Sequence, residues 1–300
     1  MLQFVFNDLI KNYGVKGETI MKSPDFSYYE ALSVEDAIKF KSADDESVFL
    51  AGGQSLIPAL NMRLSSPSCL IDISKINELK KISIDDNFIS IGASVTHSEV
   101  LQNKIILEYL PTLTNVIKMI AHPAIRNKGT HGGSIAYGDP AAELPAFAVA
   151  LNAEITLVGL KGTRTVSAND FYYGLFETEI KDDEILTNIK YPLLKSNQKI
   201  IFDEIYRRHG DYAMAGLVAN VEILHSKIDN LKLVFFATGI KPEVAIKTSN
   251  FIIKDGYNYS KIKEILKTEL DLDADLNSSS EMKLHLATIL TKRILKLLEI

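Results

Sequence analysis

The chain has 300 residues, 46% of them hydrophobic and 24% charged, which is the composition of a water-soluble globular protein long enough for one large or two to three ordinary domains. Its formal net charge of −5 provides no basic stripe to neutralise nucleic-acid phosphates. A single cysteine, Cys69, excludes an internal disulfide framework and an iron–sulfur cluster held by this chain. No apolar run approaches the roughly 20 residues that span a bilayer, so no membrane span is expected. The opening Met1–Phe6 is too short for a signal-peptide core and lacks a basic leader, which points to a cytoplasmic location.

Taken in order, Phe26–Tyr29 reads as a short extended piece, and Ser33 with Asp36 three residues on reads as a helix cap. Val48-Phe49-Leu50 is a strand that runs into the glycine turn Ala51-Gly52-Gly53-Gln54-Ser55. A helix follows through Leu56, Ile57 and Pro58 towards Leu64, with proline suited to its first turn. Cys69–Ile73 is a buried strand in which Cys69 serves packing. Lys81–Ile84 and Phe88–Ala93 alternate like a hairpin about Asp85-Asp86-Asn87. Helices are expected over Ser98–Leu101 and Thr112–Ile120, and His97 and His122 read as satisfied structural histidines without metal spacing.

A second diglycine turn, Thr130-His131-Gly132-Gly133-Ser134, is followed by Asp139 and Pro140. These read as N-cap and first residue of a helix with Ala141, Leu144, Ala148 and Leu151 inward. Strands are expected over Glu154–Val158, Thr165–Val166, Glu184–Tyr191, Ile201–Tyr206, Asp211–Leu224 and Leu231–Ala237. Amphipathic helices over Ile262–Leu270 and Met282–Leu298 close the chain, so its last third is α+β. The spaced Asp271, Asp273 and Asp275 lack the glycine and glutamate of a calcium loop and read as a solvated loop.

Adjacent glycines let a backbone approach a ligand closely and aim successive N–H groups at an anion. Two such turns, each with a hydroxyl and a helix start nearby, suggest the two halves of one phosphate cradle. No Rossmann glycine fingerprint, Walker lysine, zinc-protease pair or nucleophile elbow is present, so the chain reads as a cofactor holder.

Ala51–Pro58, Ile125–Thr130 with Gly132-Gly133, and Asp139–Pro145 resemble the FAD-binding medium subunit of the molybdenum hydroxylases, the xanthine and aerobic carbon monoxide dehydrogenases. Tyr206–Gly216 is similar to the segment opening that family's C-terminal domain. The resemblance implies an α+β fold: a two-part FAD-binding domain of the PCMH (vanillyl-alcohol-oxidase-like) type over 21–196, split into 21–75 and 76–196, then a smaller α+β domain over 197–300. Residues 1–20 have no counterpart in that pattern and are expected to be a peripheral or poorly ordered extension.

The resemblance further implies that Ala51, Gly52, Gly53, Gln54, Ser55, Leu56 and Ile57, with Thr130, His131, Gly132, Gly133 and Ser134, hold FAD, the backbone amides of both turns gripping its diphosphate. Glu143 is implied to meet flavin-side hydroxyls, or is simply a first-turn helix charge; Asp139 is a cap, a ligand or both. Ile185 and Leu186 are candidates for ring contacts or plain core, and Phe202 for shielding the ring. Where relatives read threonine, isoleucine, two glycines and asparagine, this chain has His131 and Ser134; His131 either faces the flavin or is a tolerated surface substitution. Molybdenum cofactor and 2Fe-2S clusters would reside in a large and a small partner subunit of a heterotrimer, single or doubled by symmetry, with this chain as electron outlet. A stand-alone FAD-dependent oxidoreductase of the same fold and a flavin-free structural subunit are the competing readings.

Overall fold

The computed structural model describes residues 22–298; the extension expected at 1–20 lies outside them. Three short strands, interrupted by helices, form a parallel unit. β1 (Ser27–Glu30), α1 (Val34–Ala43), β2 (Val48–Leu50), α2 (Leu56–Asn61) and β3 (Cys69–Asp72) follow in sequence, with sheet order β1-β3-β2. Parallel neighbours require such crossovers. Ser33 caps α1 by accepting the Asp36 amide at 3.1 Å. α2 stops short of the expected Leu64, because Arg63 turns the chain at φ 57° and leaves Leu64 exposed.

β4 (Ile82–Ile84) and β5 (Phe88–Gly92) form the expected hairpin, its turn held by Asp85 accepting the Asn87 and Phe88 amides. Six helices follow: α3 (His97–Gln102), α4 (Lys104–Tyr109), α5 (Pro111–Met119), α6 (Pro123–Arg126), α7 (His131–Tyr137) and α8 (Glu143–Ala150). Then come β6 (Glu154–Gly159), β7 (Gly162–Ser167), the small hairpin β8 (Tyr172–Gly174) and β9 (Glu177–Thr178), and β10 (Ile185–Pro192). These complete a five-stranded antiparallel sheet ordered β4-β5-β10-β6-β7. α8 starts at Glu143, not at Pro140: Asp139 instead closes a turn by accepting the Ala141 amide at 2.9 Å. All eight residues of α8 are buried, so the one-sided stripe expected there is replaced by a helix enclosed on every side.

The last third is a four-stranded antiparallel sheet, β11 (Gln198–Ile205), β12 (Ala215–Leu224), β13 (Lys227–Phe236) and β14 (Glu243–Val244). It is followed by α9 (Ile246–Asp255), which the sequence reading missed, α10 (Tyr259–Glu269) and α11 (Ser280–Leu297). β12 begins at Ala215 and not at Asp211, since 207–214 form a loop with Gly210 at φ 86°. Period-two alternation divides the sheet. Leu217, Ala219, Leu233 and Phe235 pack under the helices, while Val218, Val234 and Phe236 join the core around α8.

From that second face Asn220 donates to the Ala150 carbonyl at 2.9 Å, and the Lys232 ammonium donates to Val149 and to Asn152. The first satisfies the Ala150 carbonyl in the last turn of α8, and the second adds to the Asn152 amide that already donates to Val149 at 3.1 Å. Lys232→Met, which keeps the stem and removes the donors, is expected to lower stability by about 2 kcal/mol. The measurement is the urea midpoint, and an unchanged midpoint would show that the ammonium does not anchor α8.

Candidate functional site

The two diglycine segments meet in space. A cleft of about 510 Å³ is lined by Ala51, Gly52, Gly53, Gln54, Ser55 and Leu56 from one, and by Thr130, Gly132, Gly133 and Ser134 from the other. Contact between them is direct: a Cβ on Gly52 would lie 2.1 Å from the Lys128 carbonyl oxygen. Gly53 takes φ 71°, a conformation that L side chains rarely adopt.

The two segments differ in what their amides offer. Those of Gly52, Gly53, Gln54 and Ser55 have no acceptor among the described residues and form a cluster of free donors at the cleft. In the second segment the expectation of an open turn fails. Thr130 is the N-cap of α7, with its hydroxyl accepting the Gly133 amide at 3.0 Å. The His131 amide donates to Val95, that of Gly132 to Ala93 and that of Ser134 to Thr130. Hydrogen bonds already made cannot grip an anion, so these glycines serve close approach instead: a Cβ on Gly132 would lie 2.5 Å from Ala93.

Ile185 and Leu186, both buried, line the cleft, as do Asp139, Glu143 and Glu184. The acids differ electrostatically. Arg164 reaches Glu184 through two nitrogens at 2.7 Å each and holds its carboxyl below the usual range. Glu143 has no such partner; burial, then the neighbouring Glu204 and Asp139, push it up to about 8. Burial also raises Asp139, opposed by the Ala141 amide and the Tyr212 hydroxyl.

Three residues expected at the site do not line the cleft. His131 is fully buried beneath it, its Nε2 2.8 Å from the Tyr191 hydroxyl, and burial pushes its pKa down to about 3. It is therefore neither a charged group facing the cleft nor a surface substitution. Phe202 stacks on Phe236 at 6.0 Å between the C-terminal sheet and the main core. Ile57 packs over Gly53, its Cγ1 3.0 Å from where a Cβ would sit.

Other wall residues were not anticipated. His97 borders the cleft with Nδ1 unpartnered among the described residues, and so is not the satisfied histidine expected. Ile120, Ala121 and Ile125 form a wall near α6, where Arg126 pins the Ile120 carbonyl at 2.7 Å. Gly210, Asp211 and Tyr212 close another side from the β11–β12 loop. The glycine after Arg207-Arg208-His209 was the available signal for that loop, masked by the alternation continuing beyond it.

Residues 24–194 match the family described as FAD binding domain in molybdopterin dehydrogenase, and 200–298 that described as CO dehydrogenase flavoprotein C-terminal domain. The chain is 34% identical over 279 residues to the glyceraldehyde dehydrogenase medium chain of Sulfolobus acidocaldarius, covering 92% of this chain and 99% of that one. It is 41% identical over 204 residues to subunit alpha of the 6-hydroxypseudooxynicotine dehydrogenase complex of Paenarthrobacter nicotinovorans, covering 68% and 69%. Among solved structures, a chain of quinoline 2-oxidoreductase from Pseudomonas putida 86 superposes with a TM-score of 0.86 at 32% identity, covering 92% and 97%.

The raised Glu143 has a stability consequence. Between the unfolded carboxyl value and about 8 the native state keeps a proton that the unfolded chain has lost, so this group's contribution falls as pH rises through that window. Glu143→Gln stays neutral throughout. The variant is expected to match the parent near pH 5 and to exceed it in thermal midpoint near pH 8.5; a constant difference across that range would contradict the burial argument.

Proposed function

The chain belongs to the FAD-binding medium subunits of the molybdenum hydroxylases, and from that premise we propose that it is the electron outlet of a multi-subunit dehydrogenase. FAD is the cofactor of this oxidoreductase subunit, and the molybdenum site lies in another chain. The finer reading is a heterotrimer, in which a large subunit carries the molybdenum cofactor and a small one carries 2Fe-2S clusters that deliver electrons to FAD. A cytoplasmic location belongs to the same reading, as does a division into a two-part FAD-binding domain and a C-terminal domain.

The free amides of Gly52 to Ser55 carry the proposal. Four successive unpaired donors beside the cleft, without a basic side chain, fit a diphosphate, whose charge N–H dipoles can balance. When bound, FAD supplies the redox chemistry, accepting and releasing electrons. The chain's own residues bind and orient it. Ser55 adds a hydroxyl beside the amides, Thr130, Gly132, Gly133 and Ser134 shape the opposite wall, and Ile185 and Leu186 give an apolar surface that excludes water. Asp139 and Glu143 offer acceptors to hydroxyls, and Glu143, held neutral, can also donate.

Titration of the apoprotein with FAD is expected to give one bound flavin, absorbing near 450 nm (about the usual flavin band). Gly53→Ala, which strains the backbone that aims the amides, should weaken binding by about tenfold with little change in secondary structure. Equal affinity in the two proteins would remove the first turn from the site. Purification from the source with molybdenum- and iron-containing subunits attached tests the assembly, and isolation of an active flavoprotein without them would favour the stand-alone reading.

A further inference from the structure

His97 opens α3 at the wall of the cleft, and it is almost wholly buried, at 4% exposure. Two backbone bonds fix its place. The His97 amide donates to the Gly129 carbonyl at 2.9 Å and the His131 amide to the Val95 carbonyl at 2.8 Å, around a bridge between Thr96 and Thr130. Gly129 joins this histidine to the first glycine turn. A Cβ on Gly52 would lie 2.8 Å from the Gly129 Cα, and a Cβ on Gly129 would lie 3.0 Å from Cδ2 and 3.2 Å from Nε2 of His97. One residue without a side chain therefore touches both the turn that carries the unpaired amides and the Nε2 edge of the imidazole, and all three line the cleft.

Neither ring nitrogen is used by the protein. Nδ1 is buried without a partner, and no hydrogen bond among the described residues involves Nε2. Burial, then the Arg126 charge, push the ring down to about 4, so it is neutral at physiological pH and carries one N–H. A buried N–H without an acceptor is rarer than a buried acceptor without a donor, which places that hydrogen on Nε2, the edge beside Gly129. The neighbouring cation does not compete for the same ligand: Arg126 is committed to the Ile120 and Ala121 carbonyls at 2.7 and 2.9 Å.

We propose that His97 is a further cofactor-binding residue, which donates from Nε2 to the diphosphate and extends the row of amides at Gly52 to Ser55 across Gly129. The proposal rests on the FAD-binding reading above and adds to it a residue outside both glycine segments. A neutral donor suits that place, because it balances phosphate charge as the amides do, by a dipole, and brings no buried charge of its own to the empty cleft. Nδ1 has no protein partner to fix the ring, so the bound acceptor itself supplies the hydrogen bond that the structure leaves open.

The test is titration of the full-length apoprotein with FAD at neutral pH, read by flavin fluorescence, with ADP as a competitor that carries the diphosphate without the flavin. His97→Leu, which removes both nitrogens, should weaken FAD by about tenfold and ADP by the same factor. His97→Gln sets an amide nitrogen near the position of Nε2 and should restore affinity close to that of the wild type. His97→Asn sets its amide nitrogen near that of Nδ1 and should bind as weakly as the leucine variant, whose place it takes should circular dichroism show that leucine does not fold. Undiminished FAD affinity in the leucine or asparagine variant, a loss in the glutamine variant as large as theirs, or displacement by ADP that does not change with residue 97 overturns the proposal and leaves the FAD reading intact. Failure of the wild-type protein to bind FAD overturns both.

Discussion

The approach of Gly52 to the Lys128 carbonyl is the constraint on which the site depends. A side chain there would overlap the carbonyl oxygen, at 2.1 Å, so only glycine lets the parallel unit touch the helical segment of the antiparallel one. The contact sets the two walls of the cleft at a distance fixed by backbone rather than by adaptable side chains. The amides that follow belong to residues lining the cleft and have no partners among the described residues. Most backbone donors in a folded chain find a partner, and a site that keeps several unpaired together is built for something that accepts them.

α8 links this site to the C-terminal sheet. Its N-terminal residue, Glu143, borders the cleft, and its last carbonyls are held by Asn220 and Lys232. A helix enclosed on all sides moves only if its surroundings move, since close packing transmits displacement. The C-terminal third thus bears on the cleft through packing around α8, although its helices α9 to α11 lie on the far face of the sheet.

Two glutamates at one cleft illustrate how neighbours decide charge. Glu184 is bound by Arg164 and stays ionised, whereas Glu143 faces carboxylates and is held neutral. Both stand in ordinary sequence surroundings. The difference arises because β7 brings Arg164 to one of them and β11 brings an acid to the other.

Local physics written in the chain determined much by itself. The cap at Ser33, the Asp85 turn, the alternating strands and the two diglycine segments follow from interactions within a few residues, and the motifs around Gly52 and Gly132 were enough to reveal the family. Tertiary structure decided the rest. Whether the amides of Gly132 to Ser134 were free depended on Ala93 and on α7 forming from Thr130; His131 lies below the cleft because Tyr191 waits there; Tyr212 joins the wall because its loop folds back. Each is settled by partners distant in sequence, since burial and hydrogen-bond pairing are properties of what the folded chain places alongside a residue, and a local pattern holds no record of that neighbour.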